Sequence, residues 1–439
     1  MTRGPGSRAA ACALAALTLA LALASAAPAG AAGPLEPRGD KVWFGISDTG
    51  DPADFGAFSE ALDKHPAVIE SFRNWGSDFP ESIRRWQTAR ARPMIHVTTA
   101  DSNDGHEILT PKAIAEGAGD DYLIRLNRLF AEKDMSGYLR PLGEPNRCLN
   151  VYAAFDCGGT ARGGPHAPRW YKLAFRRFYV IVHGGGKAKT INKRLAEAGL
   201  GPLNASLGGL PKAPVAIIWS PLPSGSPTVP QNRPRYYWPG SRWVDWAGTD
   251  FYASYAEWRA LNRIYELAPR KPFALTEWGV EGGDDPGFVR QLFTWVKRHP
   301  RCKMLVYYQD FGSSSPYRIQ NWSASLDVLK AELRQQALRL GGQTSTLQDA
   351  RLLPGLRQHQ QLPDPELLGQ PRRAQGPPAL RSLPGLRAGC AAPTAAPARG
   401  DWDARDLARF APFFSASFFS CFSVFFGCGL NGCRAVMLE

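Results

Sequence analysis

The stretch Gly137–Asn146, GYLRPLGEPN, is a strand-length apolar run that ends on a glutamate, Glu144, with Gly143 before it and Pro145 behind it. Proline has one fixed backbone angle, so a carboxylate at that tip is placed rather than merely solvated. The same design recurs along the chain: VWFGIS (42–47), AVIESFRNWG (67–76), PMIHVTT (93–99), PVAIIWSP (214–221), VDWAGTDFYA (244–253), PFALTEWG (272–279) and KMLVYYQD (303–310). With the first, these make eight short apolar segments, each ending where polar or aromatic residues begin. The intervals carry helical spacing, as in ADFGAFSEALDKH (53–65), DDYLIRLNRLFAEKD (120–134), RWYKLAFRRFYVIVHGG (169–185) and PGFVRQLFTWVKRHP (286–300). The interval 222–243 is Pro-rich and shows no convincing helix. Eight strands alternating with helices predict a parallel sheet closed into a (β/α)8 TIM barrel. An open doubly wound sheet would be favoured by a Gly-rich phosphate loop after the first strand, and GISDTGDPADFG (45–56) offers none.

The flanks read differently. Residues 1–32 carry Arg3 and Arg8, then an uncharged Ala/Leu run, then Ala-x-Ala sites, the pattern of a secretory signal peptide. Their Leu-rich part is shorter than the roughly 20 residues that span a bilayer, so no stable membrane anchor is expected. From 336 to 439 periodicity disappears and Pro, Gly, Gln and Leu dominate. That composition reads as a low-complexity, disordered tail, or as an altered reading frame. The domain that remains, 41–335, is long enough for a full core. The net charge of +13 is scattered rather than gathered into a stripe, so no nucleic-acid partner is expected. Of eight cysteines, Cys148 and Cys157 share one Gly-rich loop and are expected to pair in an exported protein; Cys302 reads as a buried free thiol. The expected location is extracellular and the expected state a monomer.

In such a barrel the active site forms at the carboxyl ends of the strands. Trp75, Glu144, Asn146, Trp219, Asp250, Tyr252, Glu277 and Tyr308 all fall there. Strands four and seven face each other across the mouth, so Glu144 and Glu277 can meet over one cleft. Paired carboxylates are what glycosidic-bond cleavage needs: one protonated to aid the leaving oxygen, the other ionised to attack the sugar carbon. A lone glutamate is more often a surface ion-pair member; two at strand ends framed by aromatics shift that balance. Flat rings suit the C–H faces of sugars, and Trp75, Trp219 and Tyr308 are the candidates among 13 Trp and 13 Tyr. Tyr252 either positions the nucleophile's carboxylate or is an ordinary strand-end tyrosine.

Competing chemistries fail on spacing. DSNDGHE (101–107) puts Gly105 where a calcium ligand is needed, and His106-Glu107 is not followed by the second histidine of a zinc motif. HGGGK (183–187) lacks the surroundings of a phosphate loop and reads as a helix end. His96 reads as a barrel-lining polar residue, since no second metal ligand stands at a useful spacing; no metal and no cofactor are expected.

The ordered motifs FRNWG (72–76), RPLGEPN (140–146), VAIIWSP (215–221), YYWPGSRWVDWAGTDFY (236–252), KPFALTEWG (271–279) and MLVYYQD (304–310) resemble the family 26 glycoside hydrolases, the β-mannanase family. The resemblance spans roughly 42–330. It implies a retaining, endo-acting hydrolase of plant or microbial β-glycans without a cofactor. On that match Glu144 is the acid/base and Glu277 the nucleophile. Arg140 matches the arginine of the strand-four motif, and Trp219 and Tyr252 fall where the family places residues touching the catalytic centre; Trp75, His96, Asn146 and Tyr308 complete the expected sugar-binding set. Members usually carry His directly before the acid/base Glu, where this chain has Gly143. A barrel that binds polysaccharide without cutting it stays open as the second reading. A metal-dependent hydrolase is a third, and it would need more strand-end His/Asp ligands than His96.

Overall fold

The computed structural model describes residues 35–103, 105–132, 135–310 and 312–339; the signal peptide read at 1–32, and the tail beyond 339, lie outside them. Eight parallel strands close into a barrel. They are β1 (Trp43–Ser47), β2 (Val68–Arg73), β3 (Arg92–Val97), β4 (Gly137–Pro141), β7 (Val215–Trp219), β8 (Trp246–Tyr252), β9 (Phe273–Gly279) and β10 (Cys302–Tyr307), hydrogen-bonded in that order with β10 returning to β1. The remaining two, β5 (Gly184–Lys187) and β6 (Gly209–Lys212), form an antiparallel ribbon outside the barrel. The HGGGK segment is therefore a helix end that runs on into a strand. Gly184 has φ of 58°, and a Cβ there would lie 2.2 Å from the Pro211 carbonyl oxygen, so the ribbon needs a glycine at its first position.

Around the barrel lie α1 (Pro52–Leu62), α2 (Pro80–Ala89), α3 (Pro111–Ala115), α4 (Asp120–Glu132), α5 (Pro168–His183), α6 (Ala188–Glu197), α7 (Trp258–Leu267), α8 (Pro286–Arg298) and α9 (Ser323–Arg339). Several start on proline, whose missing N–H costs nothing in the first turn. Asp51 and Asp285 cap α1 and α8 by accepting from Ala53 N and Phe288 N at 2.9 and 2.8 Å. The interval 222–243 holds only short 3₁₀ turns. Leu35, ahead of β1, also touches the barrel: the Tyr138 hydroxyl donates to its carbonyl at 2.8 Å, and its side chain packs against the barrel interior.

Side chains alternate along a strand, so each strand offers one phase to the barrel interior and one to the helices. The outward phase (Ile69, Ile95, Leu139, Ile217, Leu275, Leu305) joins the main core beneath the helices. The inward phase is layered. Its lower part is apolar, with Val68, Met94, Tyr138, Ala216, Ile218, Trp246, Ala274 and Met304 in one separate cluster. Two residues further on the same phase becomes polar: Glu70 follows Val68, His96 follows Met94, Arg140 follows Tyr138, Ser220 follows Ile218 and Thr276 follows Ala274. The packed lower layers support a buried polar layer at the carboxyl end.

Candidate active site

Arg140 occupies the centre of the polar layer and is completely buried. Its guanidinium donates to Glu70 Oε1 at 2.9 Å, to Glu277 Oε1 and to Asp250 Oδ2, while its Nε donates to Ser220 Oγ at 3.1 Å. A buried cation survives only when its partners are ionic and close, and here three carboxylates from three strands supply them. Thr276 and Ser220 share a 2.6 Å hydroxyl contact, and the Thr276 hydroxyl lies 2.6 Å from Asp250 Oδ1.

Glu277 reaches this layer through an irregularity. In strict alternation Thr276 faces inward and Glu277 would turn out beside Leu275. The ladder slips here: Leu275 pairs with Thr249 but Glu277 with Asp250, and a matching slip occurs against β10. One extra residue in β9 is a β-bulge, a device that re-aims a side chain beside a site. Both Thr276 and Glu277 thereby bond to the Arg140 cluster. The Tyr252 hydroxyl donates to Glu277 Oε2 at 2.6 Å, so each oxygen of this carboxylate has a donor.

Glu144 is not on β4, which ends at Pro141; it lies on the turn beyond. Leu142 and Glu144 both take left-handed backbone angles, φ 50° and 48°, at about 1 kcal/mol or more each for non-glycine residues. The turn is held by Leu142 N to Val97 O (2.8 Å), Glu144 N to Ser220 O (2.7 Å) and the Tyr152 hydroxyl to Gly143 O (2.5 Å). Gly143 has no space for a side chain: a Cβ would lie 2.7 Å from Arg140 Nε and 2.9 Å from His96 Nε2. The Glu144 side chain accepts from Arg147 Nη1 at 2.9 Å. Arg147 adjoins the Cys148–Cys157 disulfide, whose Cα atoms are 5.0 Å apart. Cys302 is a buried free thiol.

Four carboxylates (Glu70, Glu144, Asp250, Glu277) thus face two guanidiniums, Arg140 and Arg147. The excess negative charge, like burial, works against ionisation. Burial pushes Glu70 and Asp250 well above the usual carboxylate range, with Arg140 opposing the shift. Burial would raise Glu144 too, but Arg147 and then Arg140 outweigh it and hold that carboxyl below its usual value. Burial, reinforced by Arg140 and Arg147, keeps His96 neutral far down the pH scale. Glu70 Oε2 and His96 Nε2 are buried without a hydrogen-bond partner, open positions in a layer otherwise densely bonded. Glu70, His96 and Glu277 bring one ligand atom each within 4.8 Å of one another, a spacing that could hold a metal ion. Arg140 already bonds to both carboxylates, so a metal would meet that guanidinium's charge at contact range.

Beside Glu277 stands a wall of rings. Phe72, 40% exposed, packs on His96 and on Tyr308; Tyr308 meets Tyr252 and Tyr317 edge-on at 5.9 and 5.1 Å. Tyr317 is fixed by a 2.7 Å bond to Glu281.

Arg140, Glu144, Glu277, Tyr252, His96 and Tyr308 therefore converge. Three expected sugar contacts do something else. Trp219 is fully buried, donates to the Tyr237 carbonyl at 2.9 Å and stacks edge-on against Trp238, so it offers no platform. Asn146 is fully buried too: its amide nitrogen serves Leu222 O and Asn232 O, and its Oδ1 accepts from Leu222 N. Asn146 ties the β4 and β7 loops together. Trp75 is half-buried between Tyr122 and Phe178 and lies over Gly119, where a Cβ would come 2.3 Å from its ring. Residues outside the expected set are Glu70, Arg147, Phe72 and Tyr317. Glu70 had a signal, a charge inside the apolar run VIESFR in the inward phase; Tyr317 and Arg147 had none.

No protein-family model matches the chain, and no curated protein matches it. Solved structures with a similar chain course include a mannanase of Bacillus subtilis, 16% identical, covering 66% of this chain and 85% of its own, with a TM-score of 0.44. A GH26 beta-mannanase from Bacteroides ovatus is 16% identical, covers 67% and 89%, and has a TM-score of 0.43. A GH5-4 broad specificity endoglucanase from an uncultured bacterium is 13% identical, covers 67% and 94%, and has a TM-score of 0.36.

Proposed function

We propose that the protein is a secreted retaining glycoside hydrolase that cuts β-linked polysaccharide, β-mannan or a related β-glycan, with Glu277 as nucleophile and Glu144 as acid/base. The observation that carries this reading is the unequal treatment of the two glutamates. Glu277 is clamped by donors on both oxygens, from Arg140 and Tyr252. A carboxylate so held presents a fixed oxygen to a sugar carbon, which is what attack at the anomeric centre requires. Glu144 sits on a turn outside the strand, with one oxygen on the partly exposed Arg147. It can gain and lose a proton at the cleft edge, as an acid/base must.

In the first step Glu144 gives its proton to the glycosidic oxygen, the C–O bond breaks with its electron pair passing to that oxygen, and Glu277 forms an ester bond to the sugar carbon. In the second, Glu144 takes a proton from water, and the hydroxide so formed displaces Glu277. His96 Nε2 lies against Gly143, buried and without a hydrogen-bond partner. The ring wall from Phe72 to Tyr317 suits sugar faces. The test is reducing-sugar release from mannan, xylan and mixed-linkage β-glucan by residues 33–340, with Glu144→Ala and Glu277→Ala alongside. Release from one polymer, abolished by Glu277→Ala, is expected. A folded protein that binds a polymer and releases nothing would instead favour a polysaccharide-binding barrel.

A further inference from the structure

We propose that Arg147 gates the acid step: its ion pair with Glu144 must open for the leaving sugar to be protonated, and closes again when Glu144 serves as base. The inference rests on the roles assigned above.

A general acid cannot donate a proton it does not hold, yet Glu144 Oε2 lies 2.9 Å from the Arg147 guanidinium. The two partners differ in freedom. The Glu144 side chain is 7% exposed and the Arg147 side chain 42%. The Arg147 backbone is fixed: its N–H donates to Glu144 O at 3.0 Å, its carbonyl accepts from Asn150 N at 3.0 Å, and Cys148 N donates to Ser226 O at 2.7 Å. Arg162 holds the Cys148 carbonyl at 2.6 Å, and the disulfide closes the loop behind it. What these bonds leave unfixed is the partly exposed Arg147 side chain.

Other charged or titratable groups face Glu144 as well. Arg140 from β4 acts in the same sense as Arg147; Asp250 from β8 hydrogen-bonds to Glu144, which also favours the ionised glutamate, and adds like charge only when itself ionised; Glu70 from β2 adds like charge when ionised; Tyr152 faces it from the disulfide loop. Arg140 is held by three other carboxylates and cannot leave. Of the two cations, only Arg147 is free to turn. Once it swings away, the largest influence opposing burial is gone, only Arg140 and the Asp250 hydrogen bond remain against it, and the affinity of Glu144 for a proton rises. After transfer, the new carboxylate draws Arg147 back, and the ionised form is the one the second step needs. One side chain with two positions thus serves both halves of a double displacement.

The test compares pH profiles of kcat and kcat/KM for the wild type, Arg147→Met and Arg147→Lys on the polymer that is cut, with melting temperatures as the folding control. Losing a cation at this distance moves the alkaline limb of the Met variant upward by about one pH unit. Lys, which keeps the charge, holds the limb near the wild type. A merely structural arginine would lower the whole profile without moving the limb. As a readout independent of turnover, ¹³C-carboxyl NMR, assigned with Glu144→Gln, should place the Glu144 midpoint below that of an ordinary glutamate and move it up in Arg147→Met. Cleavage with an unmoved limb and midpoint overturns the gate and leaves the hydrolase. No cleavage by a folded wild type whose Glu144 titrates low overturns both.

Discussion

Glu144 and Glu277 leave the same end of one barrel with nearly equal exposure, 5% and 7%, and are built in opposite ways. Glu277 belongs to a strand, turned inward by one extra residue and pinned by Arg140 and Tyr252. Glu144 lies past the end of a strand, on a turn that spends two left-handed residues to aim it, and its partner is a half-exposed arginine. A group that must attack along one line is served by rigidity. A group that must change protonation twice per turnover is served by a partner that can leave. The contrast lies in the supports, not in residue type or burial.

The largest effect expected from breaking the contrast is at Arg140. Arg140→Met leaves Glu70, Asp250 and Glu277 without their common cation, and removing one partner of a buried ionic cluster costs about 3–5 kcal/mol. Thermal denaturation should show a melting point lower by about 10 °C. The deficit should also depend on pH. Glu70 and Asp250 have folded values raised above their unfolded ones. Each therefore contributes stability that is complete below about pH 4 and lost as pH rises through its folded value. Without Arg140 those folded values climb further, so the variant should fall furthest behind toward neutral pH. A uniform deficit across pH 4–8 would contradict the cluster.

Next come the glutamates. Glu277→Ala should abolish turnover on every substrate, since no ester can form. Glu144→Ala should cost about 10²–10⁴-fold on a polysaccharide. On an aryl glycoside whose leaving group needs no proton, the first step should survive in Glu144→Ala, seen as a burst of phenol followed by slow turnover. Equal losses on both substrates would erase the distinction between the two residues. Tyr252→Phe removes one of the two donors to Glu277. A hydrogen bond to a charged group is worth about 1.5–3 kcal/mol, so kcat should fall roughly 10–100-fold with KM little changed. Smallest in catalysis is Asn146→Ala. It strips Leu222 and Asn232 of buried partners and should cost about 1–3 kcal/mol in urea denaturation, while the folded fraction turns over near the wild-type rate.

The barrel was legible because its evidence is repetitive. Eight apolar runs at strand length, with helical spacing between them, admit few other architectures, and the polar residues at their ends mark the site's face. What stayed hidden depends on phase and loop course. The bulge before Glu277 leaves no mark in LTEWG, and the left-handed residues at Leu142 and Glu144 are not the glycine that usually announces such a turn. Trp219 and Asn146 stand at the right strand ends for a site but turn into the loop packing of β7, because a strand-end residue has two sides to choose from. Tyr317 comes from the loop after β10, and no local pattern ties it to Tyr252 and Tyr308.

The central claim, that Glu277 forms the covalent intermediate and Glu144 does not, is tested most directly by trapping. The protein would be incubated with 2-deoxy-2-fluoro-β-mannobiosyl and -cellobiosyl fluorides, whose fluorine slows release of the enzyme ester, and peptide-mapped by mass spectrometry. The account predicts one equivalent of sugar on the peptide carrying Glu277, and none in Glu277→Ala. A label on Glu144, or on Glu70 or Asp250, would contradict it.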